Sequence, residues 1–374
     1  MPFISQQQGL ARFSPQLIAA GPAAKDCTIK TTALLVFADP AWARQLVAGL
    51  PAAARAVRTA VGRGYSHIVI TVPGPWQPDT LLRAEAERLA EGAAVEFMAE
   101  AQAIAAYPDA QALSGVALVG GTMPAEGAAA SLTDIASLRG AGESLSVVER
   151  RIVRETAKAG DGIVSRHINR PISQAISRRL LRLAWIRPVH ATWGTALLAV
   201  AMVAALLLGT RGGLIAGALL FQAASIFDGV DGEIARATFR STPQGARLDS
   251  LIDAATNFAC IGGVAWNLQL QGITDAALAG AAGLAMLVTG LTVIGLRSRH
   301  GKEGLTFNAV KVHFSQRRSR VMEWLTWLTM RDFFAFAGAV LIVAGLAHFA
   351  LYAFAIVAAG WLVVVIAVMA RHSA

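Results

Sequence analysis

Apolar positions along the chain follow two rhythms, which change near residue 160. In the first part, short β-rich runs recur: TALLVF at 32–37, SHIVITV at 66–72, AVEFMA at 94–99 and VALVGG at 116–121. Runs of this length and composition read as strands. Ala-rich helical patterns lie between them, at about 41–63 and about 79–91. Strands alternating with helices predict a small α/β layer domain with a mostly parallel sheet over residues 1–150.

The second part is apolar on a longer scale. Stretches near the ~20 residues that cross a bilayer occur at about 190–209, 212–230, 249–268, 276–296, 333–349 and 350–370. Six transmembrane helices are therefore expected over residues 188–374, with short outer connections near Arg211, Gly272 and Ala347. Between the two parts, residues 151–187 read as a linker followed by a juxtamembrane segment. Within it Pro171 is expected to interrupt the pattern, leaving a basic amphipathic helix over about 172–185, with Arg178, Arg179 and Arg182 towards headgroups.

Charge orients this arrangement. The loop from 297 to 332 carries Arg297, Arg299, Lys302, Lys311, Arg317, Arg318, Arg320 and Arg331, and cytoplasmic loops are enriched in such residues. Six spans then put the N-terminus, the loop from Arg236 to Gly245 and Arg371 on the same side. The expectation is a multi-pass protein of the inner, cytoplasmic membrane with its N-terminal domain inside the cell.

Composition sharpens the picture in three ways. With 55% hydrophobic and 15% charged residues, the chain does not have the make-up of a soluble enzyme. Its net charge of +9 sits beside apolar spans, without an aromatic-interleaved basic run, which favours lipid headgroups or phosphorylated substrates and excludes a nucleic-acid partner. Cys27 and Cys260 are far apart and lack metal-ligand neighbours, so neither a disulfide scaffold nor a zinc site is expected. The N-terminus lacks a basic stretch followed by an apolar core, and no cleaved signal peptide is read there.

Candidate chemistry is concentrated in residues 228–253, DGVDGEIARATFRSTPQGARLDSLID. Asp228 and Asp231 are three apart, and Asp249 and Asp253 four apart, so on helices each pair projects from one face. Two facing helices would converge four carboxylates, which repel one another unless cations sit between them; hard oxygen ligands suit Mg²⁺ or Mn²⁺. Gly232, Ala235 and Gly245 remove side-chain bulk nearby, and Arg236 adds a fixed positive charge. Acids at membrane depth could instead serve an ion- or proton-coupled transporter, but transport gives no reason for the positions of Gly232, Ala235, Arg236 and Gly245.

The pattern Asp228-x2-Asp231-Gly232-x2-Ala235-Arg236-x8-Gly245-x3-Asp249-x3-Asp253 resembles the signature of the CDP-alcohol phosphotransferase (phosphatidyltransferase) family at every defined position. That resemblance, over about 160–370, implies a CDP-alcohol donor, CDP-diacylglycerol or a CDP-polyol, and transfer of its substituted phosphate to an acceptor alcohol with release of CMP. It implies one or two Mg²⁺ or Mn²⁺ ions on Asp228, Asp231, Asp249 and Asp253, with Asp253 as general base. Gly232, Ala235, Gly245 and Thr192 would contact the CDP moiety, and Arg236 would steady either the acidic cluster or the nucleotide phosphates; Thr192 belongs to a Pro-Asn-x-x-Thr start of the first span in which Val189 replaces the Asn. Such families are usually homodimers, acting in phospholipid or polyol-phosphodiester synthesis. The run DGIVSRHINRPIS at 161–173 is similar to enzymes joining CDP-inositol to inositol phosphate, which offers Arg166, Lys311, Arg317 and Arg318 as ligands of an acceptor phosphate. Residues 46–71 resemble sugar-phosphate nucleotidyltransferases, but that family's glycine-rich loop and metal-binding Asp are missing at the matching points, implying a degenerate domain.

Overall fold

The computed structural model describes residues 30–121, 135–139, 142–158, 160–300 and 331–371. Cys27, Lys311, Arg317, Arg318 and most of the basic loop lie outside the described residues, as do the side chains of Arg297 and Arg299.

The N-terminal region builds a parallel four-stranded sheet. In chain order its elements are β1 (Lys30–Val36), α1 (Pro40–Arg44), β2 (Leu46–Val47), β3 (Leu50–Pro51), α2 (Ala52–Val61), β4 (Tyr65–Val72), α3 (Thr80–Leu89), β5 (Ala94–Ala99), α4 (Glu100–Ala106), β6 (Gln111–Ser114), α5 (Gly115–Val119), α6 (Ile135–Leu138) and α7 (Leu145–Glu155). Strand order is β5-β4-β1-β6, with Leu34 in register with Val69 on one side and Ala112 on the other. Alternation along β1 sends Ala33 and Leu35 into the core with Ile68, Ile70 and α2, and Leu34 and Val36 to the opposite face. The expected α/β layers are present.

Two details differ from the sequence expectation. VALVGG is not a strand: the fourth strand is QALS, and Ser114 caps the next residues into α5 by accepting from the Ala117 N–H at 3.3 Å. A short apolar run has no periodicity by which strand and helix can be told apart. The pattern at 41–63 is likewise broken by the antiparallel β2–β3 ribbon, whose tip, Ala48 (φ +46) and Gly49 (φ +85), uses the left-handed conformation of a two-residue hairpin turn.

A π-helical turn at Ser165–Asn169 runs directly into α8 (Arg170–Leu180). Pro171 therefore does not interrupt the helix: it sits within a continuous helical run from residue 163, directly after the π-helical turn. Arg178, Arg179 and Arg182 are exposed, as are Ile172, Leu183 and Trp185, whereas the face turned inward is polar: Arg170, Ser173 and Ser177.

Among the described residues six helices follow: α9 (Pro188–Leu207), α10 (Arg211–Ala237), α11 (Pro243–Leu270), α12 (Thr274–His300), α13 (Arg331–Val343) and α14 (Ala347–Arg371). Among the described residues, four of them, α9, α10, α12 and α14, are long and apolar enough to cross a membrane. The 28-residue α11 carries Arg247, Asp249 and Asp253 in its first half, and α13 has only a short apolar stretch, Asp332–Val343. Large apolar side chains such as Trp193, Leu197, Val363 and Ile366 face outward. Met202, Leu206, Leu214, Val264, Leu268, Ile342 and Leu351 form the inner core. A Cβ on Gly217 would lie 2.5 Å from the Leu206 side chain and one on Gly263 2.7 Å from it, so small residues let the helices close around that leucine. Turns after α9, α11 and α13 each contain a glycine at positive φ: Gly209 (+66), Gly272 (+82) and Gly345 (+81).

Candidate metal centre and active site

α10 and α11 are joined by the five residues 238–242, so they run antiparallel from a common turn. Asp228 and Asp231 lie two to three turns before that turn on α10, and Asp249 and Asp253 two to three turns after it on α11. Carboxylate oxygens of Asp228, Asp249 and Asp253 all lie within 4.8 Å of one another. Oxygen ligands of a divalent cation stand ~2.0–2.6 Å from it, so two of them are at most ~5 Å apart. The three side chains thus fit around a single hard cation.

Asp231 stands just behind this group and is 8% exposed. Its carboxylate accepts from the Thr192 hydroxyl at 2.7 Å and from the Gly232 backbone, and lies within hydrogen-bonding reach of Asp249. Asp249 in turn reaches Asp228. Thr192, expected to touch the CDP moiety, is here the group that orients Asp231 across the α9–α10 interface.

The remaining candidates are placed as follows. Arg236 donates through Nε to the carbonyl of Thr156, at the end of α7, at 2.7 Å. Its guanidinium lies against Gly232, where a Cβ would meet Nη1 at 2.9 Å. Its Nη2 is buried without a hydrogen-bond partner among the described residues. Ala235 is half-buried, while Gly245 lies exposed in the first turn of α11, its N–H held by Thr242 Oγ1 at 3.0 Å. Arg166 is exposed in the π-helical turn.

Sequence reasoning missed a second charged cluster beside the first. Glu233, fully buried on α10, accepts from Ser173 (2.6 Å), Ser177 (2.6 Å) and Arg170 (2.9 Å). Arg170 also forks onto Asp161 at 2.7 and 3.0 Å. Burial alone would lower the Arg170 pKa, but hydrogen bonds and charge from Asp161 and Glu233 outweigh it and raise it above the ordinary arginine value. The signal was available: an acid inside a membrane-spanning helix needs a partner, and the inward positions of α8 are polar.

Fold and site together describe a multi-pass membrane protein with a cluster of carboxylates that could hold a metal ion. Residues 185–370 match the family model for CDP-alcohol phosphatidyltransferase, and that part of the chain is a domain of this family of transferases. Curated relatives include three proteins named "Bifunctional IPC transferase and DIPP synthase". That of Thermococcus kodakarensis is 38% identical over 112 residues (30% of this chain, 24% of the relative), that of Aquifex aeolicus 37% over 134 residues (34% and 28%). That of Rubrobacter xylanophilus is 36% identical over 157 residues, 42% of this chain and 34% of the relative. The matches thus span only about a quarter to a third of these relatives' length.

Proposed function

We propose that the protein transfers a substituted phosphate from a CDP-linked alcohol to the hydroxyl of an acceptor alcohol and releases CMP. The observation that carries this is the convergence of Asp228, Asp249 and Asp253 within 4.8 Å, with Asp231 oriented behind them, in a domain of this family. Asp228, Asp231, Asp249 and Asp253 would hold one or two Mg²⁺ or Mn²⁺ ions, which neutralise charge on a diphosphate and on the departing nucleotide. Asp253 accepts the proton of the acceptor hydroxyl. The hydroxyl oxygen bonds to the β-phosphorus as the bond from that phosphorus to the bridging oxygen breaks, and CMP leaves with that oxygen. Thr192 keeps Asp231 aimed at the cluster, and Gly232, Ala235, Arg236 and Gly245 shape the donor's side of the site.

For the donor we propose CDP-diacylglycerol or a CDP-polyol, and for the acceptor an inositol phosphate or a related polyol phosphate. The relatives' names and the run at 161–173 support the latter, with Arg166, Lys311, Arg317 and Arg318 as its phosphate ligands. All six helices α9–α14 cross the inner membrane in this reading, as a homodimer, with residues 1–150 and the metal centre on the cytoplasmic side. We further read the α/β domain as a degenerate nucleotidyltransferase-like unit. Ligands of such sheets bind where strand order reverses, here between β1 and β6; at that point the buried Phe37 ring packs on Gly115, filling the crevice.

Purified protein incubated with CDP-diacylglycerol or CDP-inositol and a panel of polyol phosphates should release CMP in a Mg²⁺- or Mn²⁺-dependent manner. No CMP with any pair, together with ion flux in vesicles, would refute the proposal in favour of a transporter.

A further inference from the structure

The turn joining the two acid-bearing helices is gripped by the α/β domain. α10 ends at Ala237, leaving helix-end carbonyls without partners. Arg55, on α2 and 4% exposed, donates through Nη2 to the Ala237 carbonyl at 2.5 Å while anchoring itself on Val47 and Ala48. Arg88, on α3, donates through Nη2 to the Thr238 carbonyl (2.9 Å) and through Nη1 to the Phe239 carbonyl (3.1 Å). Three successive carbonyls at the negative end of the α10 dipole therefore each receive an arginine N–H from the other domain.

Further contacts lock the same turn. Phe239 adopts φ +53, and its ring receives the guanidinium groups of Arg55 and Arg58, each 5.7 Å from the centroid. Glu85, 7% exposed in its side chain, pairs with Arg88 at 2.8 Å and also with Arg240, next along the turn. The tip of the β2–β3 ribbon completes the grip: a Cβ on Gly49 would lie 2.7 Å from Leu181 and 3.0 Å from Thr238. Arg55 remains charged at neutral pH although burial lowers its pKa to about 9.

We infer that Arg55 and Arg88 are positioning residues for the metal centre: by fixing the turn at 237–240 they set the register of α10 against α11, and so the spacing of Asp228 from Asp249 and Asp253. A slip of one residue at this turn would rotate the α11 acids by ~100° and shift them ~1.5 Å along the axis. Mg²⁺ demands near-ideal octahedral geometry, so such a slip breaks the site. This inference rests on the transferase reading only for its effect on catalysis; the grip and the cation affinity are measurable without it.

The test uses full-length protein in detergent, stripped of metal, with Arg88→Ala and the conservative Arg88→Lys. Arg88 is a third exposed, so its loss leaves the core intact. Mn²⁺ binding is followed by electron paramagnetic resonance, exchange of the 237–245 backbone amides by mass spectrometry, and CMP release as a function of Mn²⁺. In Arg88→Ala the turn should exchange faster and Mn²⁺ affinity should fall about tenfold, the lower end of what outer partners of metal ligands contribute. The maximal rate should return at saturating Mn²⁺, and Arg88→Lys should restore part of the affinity. Unchanged exchange and affinity in Arg88→Ala would overturn the inference, and faster exchange with unchanged affinity would overturn the link between turn and metal. Wild-type protein that binds Mn²⁺ but releases no CMP would refute the transferase reading and leave the grip to be decided by the other two measurements.

Discussion

Thr192 on α9 donates its hydroxyl to the carboxylate of Asp231 on α10 at 2.7 Å, and both residues are almost wholly buried. Removing the donor leaves a buried carboxylate oxygen unsatisfied, at ~1–3 kcal/mol, and lets Asp231 turn away from the cluster. Thr192→Val should therefore raise the Mg²⁺ needed for half-maximal CMP release by ~10–100-fold. Thr192→Ser should stay close to wild type. Titrating Mg²⁺ at saturating donor distinguishes the two.

Each acid has a separable expectation. Asp231→Asn and Asp253→Asn should abolish CMP release while the detergent-solubilised protein keeps its elution volume and thermal transition. Near-normal turnover in either would remove the roles assigned to them.

Chelation gives an orthogonal check. EDTA should stop the reaction and Mg²⁺ or Mn²⁺ restore it. Because the ion binds only the folded protein, cation at a hundred times its dissociation constant should stabilise it by ~2.7 kcal/mol, visible as an upward shift of the melting temperature. An unshifted transition would argue against a cation between these acids.

The buried trio of Arg170, Glu233 and Asp161 lends itself to a double-mutant cycle. Arg170→Met leaves Glu233 with its charge uncompensated and should cost ~3–5 kcal/mol. Adding Glu233→Met should recover much of that loss, since an apolar pair of similar volume is often neutral. Thermal melts of the four proteins test this; strict additivity would mean the two charges do not depend on one another.

Packing around Leu206 is equally testable. Gly217→Ala places a Cβ 2.5 Å from that side chain and should cost ~1–3 kcal/mol of stability. The companion Gly212→Ala, whose Cβ meets nothing within 4 Å, should be neutral in the same melt.

How far the sequence carried depended on the range over which each signal acts. Asp228, Asp231, Asp249 and Asp253 were legible because helical periodicity converts spacings of three and four into one face. Their convergence needed only that α10 and α11 face each other. Glu233 was passed over because it occupies an unspecified position of the motif, and its partners Arg170, Ser173 and Ser177 come from a helix read as a membrane-surface element. Arg55 and Arg88 were not legible at all: in isolation they are ordinary arginines on Ala-rich or charged helices, and their acceptor carbonyls lie about 150 or more positions away. VALVGG was misread for the opposite reason, since a local apolar run says nothing about Ser114 capping it.

The glycine turns after α9, α11 and α13 have a consequence for motion. Connections this tight leave no slack, so α9 with α10, α11 with α12, and α13 with α14 behave as three rigid hairpins. Asp228 and Asp231 belong to the first and Asp249 and Asp253 to the second. A cation shared among them would add a tie between two hairpins that already touch along their length, where Leu206 of α9 packs on Gly263 of α11 and Asn267 of α11 donates to the Leu206 carbonyl.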